Sequence, residues 1–261
     1  MRIKANGIAF NCEIDGHDGA PWLVFSNSLA TNLSMWDPQV ADLGRSFRIL
    51  RYDQRGHGGT DAPAGRYTYA TLLADAVALF DALDIKRANF CGLSMGGATA
   101  LGLAQLHPDR VDRIAVCDSP CMSTPATAAQ WEERIAVAQA GGMKALVDST
   151  MARWFPPETH AAKPAHLDKV RQMILTTPVN GFIGGSAALA DHNYNAAVAT
   201  VTRPALFIAG SKDGITPAAM KDMNARLAGS RYVELEGAGH ISNLDRPAEF
   251  TRAVREFLGA A

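Results

Sequence analysis

Apolar positions in the first 118 residues follow two alternating periods. Residues 3–5 and 8–14 flank Asn6-Gly7, a dipeptide whose tolerance of positive φ makes it the strongest two-residue hairpin signal. Residues 22–25, 48–52, 87–91 and 111–117 are short strand-like runs. Between them, 69–83 carries Leu72, Leu73, Ala76, Val77, Leu79, Phe80 and Leu83 at helical spacing. A second helical stretch, 98–106, stops at His107-Pro108, because proline disfavours helix for the residue before it. Alternation of this kind predicts a parallel sheet covered on both faces.

From residue 119 to residue 200 the pattern breaks. Helix-like stretches at 128–140, 143–154 and 164–175 are separated by Pro and Gly, with no comparable strand. An insertion of helices after a sheet strand lies above the strands' C-terminal ends and acts as a lid. Strand and helix signals resume at 205–209, 217–227, 232–235 and 248–258. The expectation is one α/β core domain, 1–118 with 201–261, interrupted by a helical cap at 119–200.

Composition excludes more than it selects. The 261 residues, 48% of them hydrophobic, suffice for a large core. A formal charge of -1 gives no global attraction to nucleic acid or to an anionic membrane. No apolar run approaches the ~20 residues of a membrane span, and the N-terminus lacks the apolar stretch of a signal peptide. Cys12, Cys91, Cys117 and Cys121 have no metal-ligand spacing and read as buried thiols in a reducing cytosol, so a cytoplasmic location is expected.

Chemistry concentrates in Gly92-Leu93-Ser94-Met95-Gly96-Gly97, which joins the run 87–91 to the next helix. Gly-x-Ser-x-Gly at a strand-to-helix turn strains the serine backbone and pushes its hydroxyl out of the sheet. Side chains at the flanking glycines would clash with the adjacent strand and helix. A nucleophilic Ser94 needs a base to take its proton, and the base needs a carboxylate to hold its tautomer. These partners follow the serine in the order acid, then histidine. His240, in Glu236-Gly237-Ala238-Gly239-His240 beyond the last strand run, is the candidate base. His57, in Asp53-Gln54-Arg55-Gly56-His57-Gly58, precedes the serine and reads as a loop-ordering residue. Asp213 ends the segment Phe207-Ile208-Ala209-Gly210-Ser211-Lys212-Asp213 at a strand tip, and Asp118 stands at another strand tip, after Val116-Cys117. Order favours Asp213 and leaves Asp118 as the alternative. An oxyanion hole requires two backbone N–H groups. Met95, after the nucleophile at a helix N-terminus, is one candidate; Leu29, in Ser26-Asn27-Ser28-Leu29, is the other.

With these segments in view, the chain resembles the α/β-hydrolase superfamily over its full length. More narrowly, it resembles the 3-oxoadipate enol-lactonases of bacterial aromatic degradation. The resemblance is carried by Ser26-Asn27-Ser28-Leu29, Met35-Trp36-Asp37-Pro38-Gln39, Tyr52-Asp53-Gln54-Arg55-Gly56-His57-Gly58 and the Ser94 turn. In the cap it is carried by Trp131, Arg134-Ile135, Gly142-Met143 and Arg153-Trp154-Phe155. The Ser-Asn-Ser segment narrows the family, since most relatives have His-Gly there. The resemblance implies an α/β-hydrolase fold with a helical cap, and hydrolysis of a small anionic enol-lactone to 3-oxoadipate through an acyl-enzyme. It implies no cofactor, and the chain has no His-Glu-x-x-His, Walker-type loop or dinucleotide fingerprint. An anionic substrate asks for a cation. Arg134, three residues after Trp131 and so on one helix face, is the candidate, with Trp131 and Trp154 as lining residues and Arg153 as the fallback. The rival readings are a general small-ester carboxylesterase, a cofactor-free perhydrolase, and, outside enzymes, a hydrolase-fold ligand receptor. A haloalkane dehalogenase would want Asp at position 94. Homo-oligomerisation is left open.

Overall fold

The Asn6-Gly7 signal opens the chain as a hairpin. Strand β1 (Arg2–Ala5) pairs antiparallel with β2 (Ile8–Gly16), and Asn6 and Gly7 take φ of 42° and 78°. The computed structural model describes residues 1–259. β2 pairs antiparallel with β4 (Arg48–Tyr52), and every later pairing is parallel. The remaining strands are β3 (Trp22–Ser26), β5 (Ala88–Leu93), β6 (Val111–Cys117), β7 (Ala205–Gly210) and β8 (Arg231–Leu235), in the order β1-β2-β4-β3-β5-β6-β7-β8. All six residues of β5 and of β7 are buried, as strands covered on both faces require. After β3 the chain steps out to β4 and returns to β5 on the other side of β3. Their following loops therefore part at the strands' C-terminal ends, where open α/β sheets hold ligands.

Helices α1 (Asp37–Leu43), α2 (Tyr69–Ala82) and α3 (Met95–Leu106) belong to the first half of the core. Between β6 and β7 lie α4 (Pro125–Gly141), α5 (Val147–Trp154), α6 (Pro157–Ala162), α7 (Ala165–Thr176) and α8 (Val179–Asp191). The core then closes with α9 (Thr216–Arg226), α10 (Ser242–Asp245) and α11 (Pro247–Leu258). α3 packs on β5, β6 and α2, while α11 packs on α1, β7 and β8. Among the described residues no single helix is long and apolar enough to cross a membrane.

Strand and helix ends depart from the sequence reading where the chemistry intervenes. β5 runs on through Gly92-Leu93, and α3 begins at Met95 rather than residue 98. Gly96 and Gly97 are poor helix formers, so periodicity alone starts the helix late. α6 and α8 escape a periodicity reading for similar reasons: α6 has six residues, and α8 carries three glycines. Those glycines seat the cap on the core. A Cβ on Gly181 would lie 1.8 Å from the Gly56 carbonyl oxygen, one on Gly184 would strike the Tyr67 ring at 2.5 Å, and one on Gly185 would meet Leu29 at 2.5 Å.

Candidate active site

Ser94 sits between β5 and α3 with φ 56° and ψ -112°, a left-handed conformation that is costly for a residue with a Cβ. Its neighbours explain the glycines. A Cβ on Gly92 would lie 1.9 Å from the Gly96 carbonyl oxygen, and one on Gly96 would lie 2.1 Å from that of Ser26. The Ser94 N–H donates to the Cys117 carbonyl at the end of β6, 2.8 Å away.

Three predicted residues come together over this turn. His240 Nε2 is 3.0 Å from Ser94 Oγ, and His240 Nδ1 is 2.8 Å from Asp213 Oδ2. The side chains of His240 and Asp213 are 14% and 11% exposed. With Nδ1–H donating to the carboxylate, Nε2 presents its lone pair to the serine hydroxyl, the tautomer a base requires. Asp213 stands in the loop after β7, and His240 in the loop between β8 and α10. The His240 N–H donates to the Trp154 carbonyl at 2.8 Å, and Gly239 N–H donates to Asp245 Oδ2 at 2.7 Å. Asp245 also accepts from Thr159 Oγ1 of the cap. Asp245 thus ties the histidine loop to α6, a part that no sequence motif announces.

The loop after β3 is tied to the same turn. Gly96 N–H donates to the Asn27 carbonyl at 3.0 Å, and Trp36 Nε1–H donates to Asn27 Oδ1 at 3.0 Å. Leu29 follows two residues later, buried beside Met95, with both side chains against Gly185. Met95 opens α3, so its N–H has no carbonyl one turn back to bond.

Asp118, the alternative acid, does not reach the imidazole. Its Oδ1 accepts Gly210 N–H at 2.8 Å and its Oδ2 accepts the Ser242 hydroxyl. It is 0% exposed, and burial, with the charge of Asp213 nearby, pushes its pKa well above the usual carboxylate range. The folded chain therefore keeps this proton at pH values where an unfolded Asp, with a pKa of about 4, has lost it. More protons bound in the folded state means that stability falls as pH rises above about 4. Asp118→Asn removes that loss. Its melting temperature relative to the wild type should climb as the pH rises above about 4 in thermal denaturation; a pH-independent difference would contradict the assignment.

His57 lies fully buried with Nδ1 3.0 Å from the Arg55 carbonyl, and burial lowers its pKa. It orders its own loop.

In the cap, Trp131 and Arg134, which share one face of α4, meet different partners. The Trp131 ring receives Arg153 of α5 at 5.2 Å, while Arg134 lies 6.0 Å over Phe182 and donates to Thr150 Oγ1. Helical spacing places residues on one face but says nothing of which neighbouring helix reaches them. Among the described residues Arg134 makes no ion pair. Burial and the like charge of Arg153 pull its pKa down to about 10, which leaves it cationic at neutral pH. Trp154 is 2% exposed and stacks on His240, ring centroids 5.9 Å apart. It supports the imidazole.

A family model described as the alpha/beta hydrolase fold matches residues 21–247. The 3-oxoadipate enol-lactonases 1 and 2 of Acinetobacter baylyi are 34% and 32% identical over 99% and 98% of this chain, and over 96% and 95% of their own. The crystal structure of the enol-lactonase from Burkholderia xenovorans LB400 superposes with a TM-score of 0.96 at 41% identity, covering 99% of this chain and 100% of that one. The chain belongs to the α/β hydrolase family, and it is a hydrolase.

Proposed function

We propose that this hydrolase opens 3-oxoadipate enol-lactone to 3-oxoadipate through an acyl-enzyme on Ser94. The observation that carries the reading is the continuous chain from Ser94 Oγ through His240 to Asp213, at 3.0 and 2.8 Å, beneath a cap. His240 takes the Ser94 proton as the hydroxyl attacks the lactone carbonyl, and Asp213 stabilises the resulting imidazolium. The N–H groups of Leu29 and Met95 hold the oxyanion. Collapse expels an enolate, a better leaving group than an alkoxide, and ketonisation of the freed enol makes ring opening hard to reverse. His240 then activates water to release the acyl group. Water is the one reactant, besides the lactone, that the chain does not itself supply to these steps. The similarity to the Acinetobacter and Burkholderia proteins supports the choice of lactone.

The substrate carries a free carboxylate, and Arg134 is a half-buried cation that makes no ion pair among the described residues. A guanidinium grips a carboxylate through two parallel hydrogen bonds. Arg134→Met should therefore cut kcat/KM for the enol-lactone by ~10²-fold, equivalent to about 3 kcal/mol. Hydrolysis of an uncharged phenyl ester should stay nearly unchanged. Equal losses on both substrates would make Arg134 a structural part of the cap, and no loss on either would pass the role to Arg153. The function itself is tested by comparing kcat/KM for the enol-lactone with that for p-nitrophenyl acetate. Faster turnover of the simple ester would replace this reading with a general carboxylesterase.

A further inference from the structure

The carboxyl of Asp118 touches neither Ser94 nor His240, yet it stands where the segments carrying all three site residues meet. Its predecessor Cys117 accepts the Ser94 N–H through its carbonyl at 2.8 Å. Its own N–H donates to the Ile208 carbonyl at 2.8 Å, carrying the β6–β7 pairing one residue past the strand. Oδ1 then accepts the N–H of Gly210, three residues before Asp213. Oδ2 accepts the hydroxyl of Ser242, two residues after His240. Asp118 reaches these partners from φ 46°, the left-handed region that residues with a Cβ rarely occupy. Such an outlier persists only where its surroundings hold it in place.

We propose that Asp118 is a positioning residue: it fastens the Asp213 loop and the far side of the His240 loop to the end of β6, beside the nucleophile. This rests on the serine-hydrolase reading given above. Direct contacts between the two loops already hold the near side. Ser211 N–H donates to the Leu235 carbonyl, Lys212 N–H to the Ala238 carbonyl, and Gly237 N–H to Ser211 Oγ. Those contacts engage residues 235–238 and stop there. On the far side Ser242 is met by Asp118, and the next polar contact in the chain, Asn243 Nδ2–H to the Met35 carbonyl, leads away to the β3–β4 connection. The Trp154 carbonyl holds the His240 N–H and Asp245 holds Gly239. Asp118 supplies the tie that follows His240 in the chain, and without it the imidazole loses its anchor to the end of β6. A displacement of about 1 Å at a reacting group can cost 10²-fold in rate.

A positioning role and an acid role make opposite demands on substitution. Asparagine keeps both contacts: its Oδ1 accepts from Gly210 N–H, and its Nδ2–H donates to Ser242 Oγ. It cannot serve as an anion. The test measures kcat and KM on the enol-lactone, and in parallel the rate at which an alkyl fluorophosphonate labels Ser94, the serine oxygen displacing fluoride at phosphorus. Asp118→Asn should stay within about threefold of the wild type in both. Asp118→Ala should lose ~10²-fold in kcat and in labelling rate with KM within about twofold, because no group that touches substrate has changed. If Asp118→Ala does not fold, Ser242→Ala decides: removing one of the two contacts should lower kcat about tenfold at constant KM, and wild-type kcat would overturn the proposal. It is equally overturned if Asp118→Asn is as damaged as the alanine variant, or if folded Asp118→Ala labels at the wild-type rate. Absence of Ser94 labelling in the wild type would overturn both this proposal and the reading beneath it.

Discussion

Ser94→Ala is expected to leave a folded protein that has lost roughly 10⁴- to 10⁶-fold of its turnover. The hydroxyl makes one side-chain contact, to His240 Nε2, and its removal leaves the strained turn with a smaller side chain at the same φ. The glycine contacts that define the turn are backbone features and survive. Circular dichroism and melting should therefore match the wild type, while kcat on the enol-lactone falls to the level that binding and the oxyanion donors supply. A folded Ser94→Ala protein with near-normal activity would end the serine-hydrolase reading.

Asp213→Asn should cost ~10⁴-fold in kcat. The carboxylate accepts Nδ1–H of His240 at 2.8 Å; an amide can present its NH₂ instead, which moves the imidazole proton to Nε2 and removes the lone pair facing Ser94. His240→Gln should cost about as much as losing Ser94, because the two act as a unit. Steady-state kinetics on the three variants checks the order. A milder effect at Asp213 than at Asp118→Asn would move the acid to Asp118.

Local rules carried much of the sequence reading. The hairpin at Asn6-Gly7, the strands of the sheet and the Ser94 turn each follow from a short stretch whose glycines or alternation have one geometric solution. The choice between Asp118 and Asp213 does not. Both stand at C-terminal ends of neighbouring parallel strands, β6 and β7, and neighbouring strands are about 4.8 Å apart. Either carboxyl is thus close to the histidine loop, and the decision rests on a backbone dihedral at residue 118 that turns one of them toward Ser242. The cap was harder for a different reason. Its helices bury their faces against one another and against the core, so spacing along α4 located Trp131 and Arg134 but not the Arg153 that arrives from α5. Ser242 and Asp245 bound the four-residue helix α10, too short for a periodic signal, and only their partners give them a role.

The contact between Gly181 and Gly56 has an evolutionary consequence. Most packed pairs can trade volume, one side growing as the other shrinks. Here both sides are already at the minimum, with the backbones themselves in contact. A methyl on either cannot be absorbed by the other, so no second-site change at this pair restores the fit. α8 is therefore a fixed pillar of the molecule, and any drift in the helices around it has to work round this one unyielding contact.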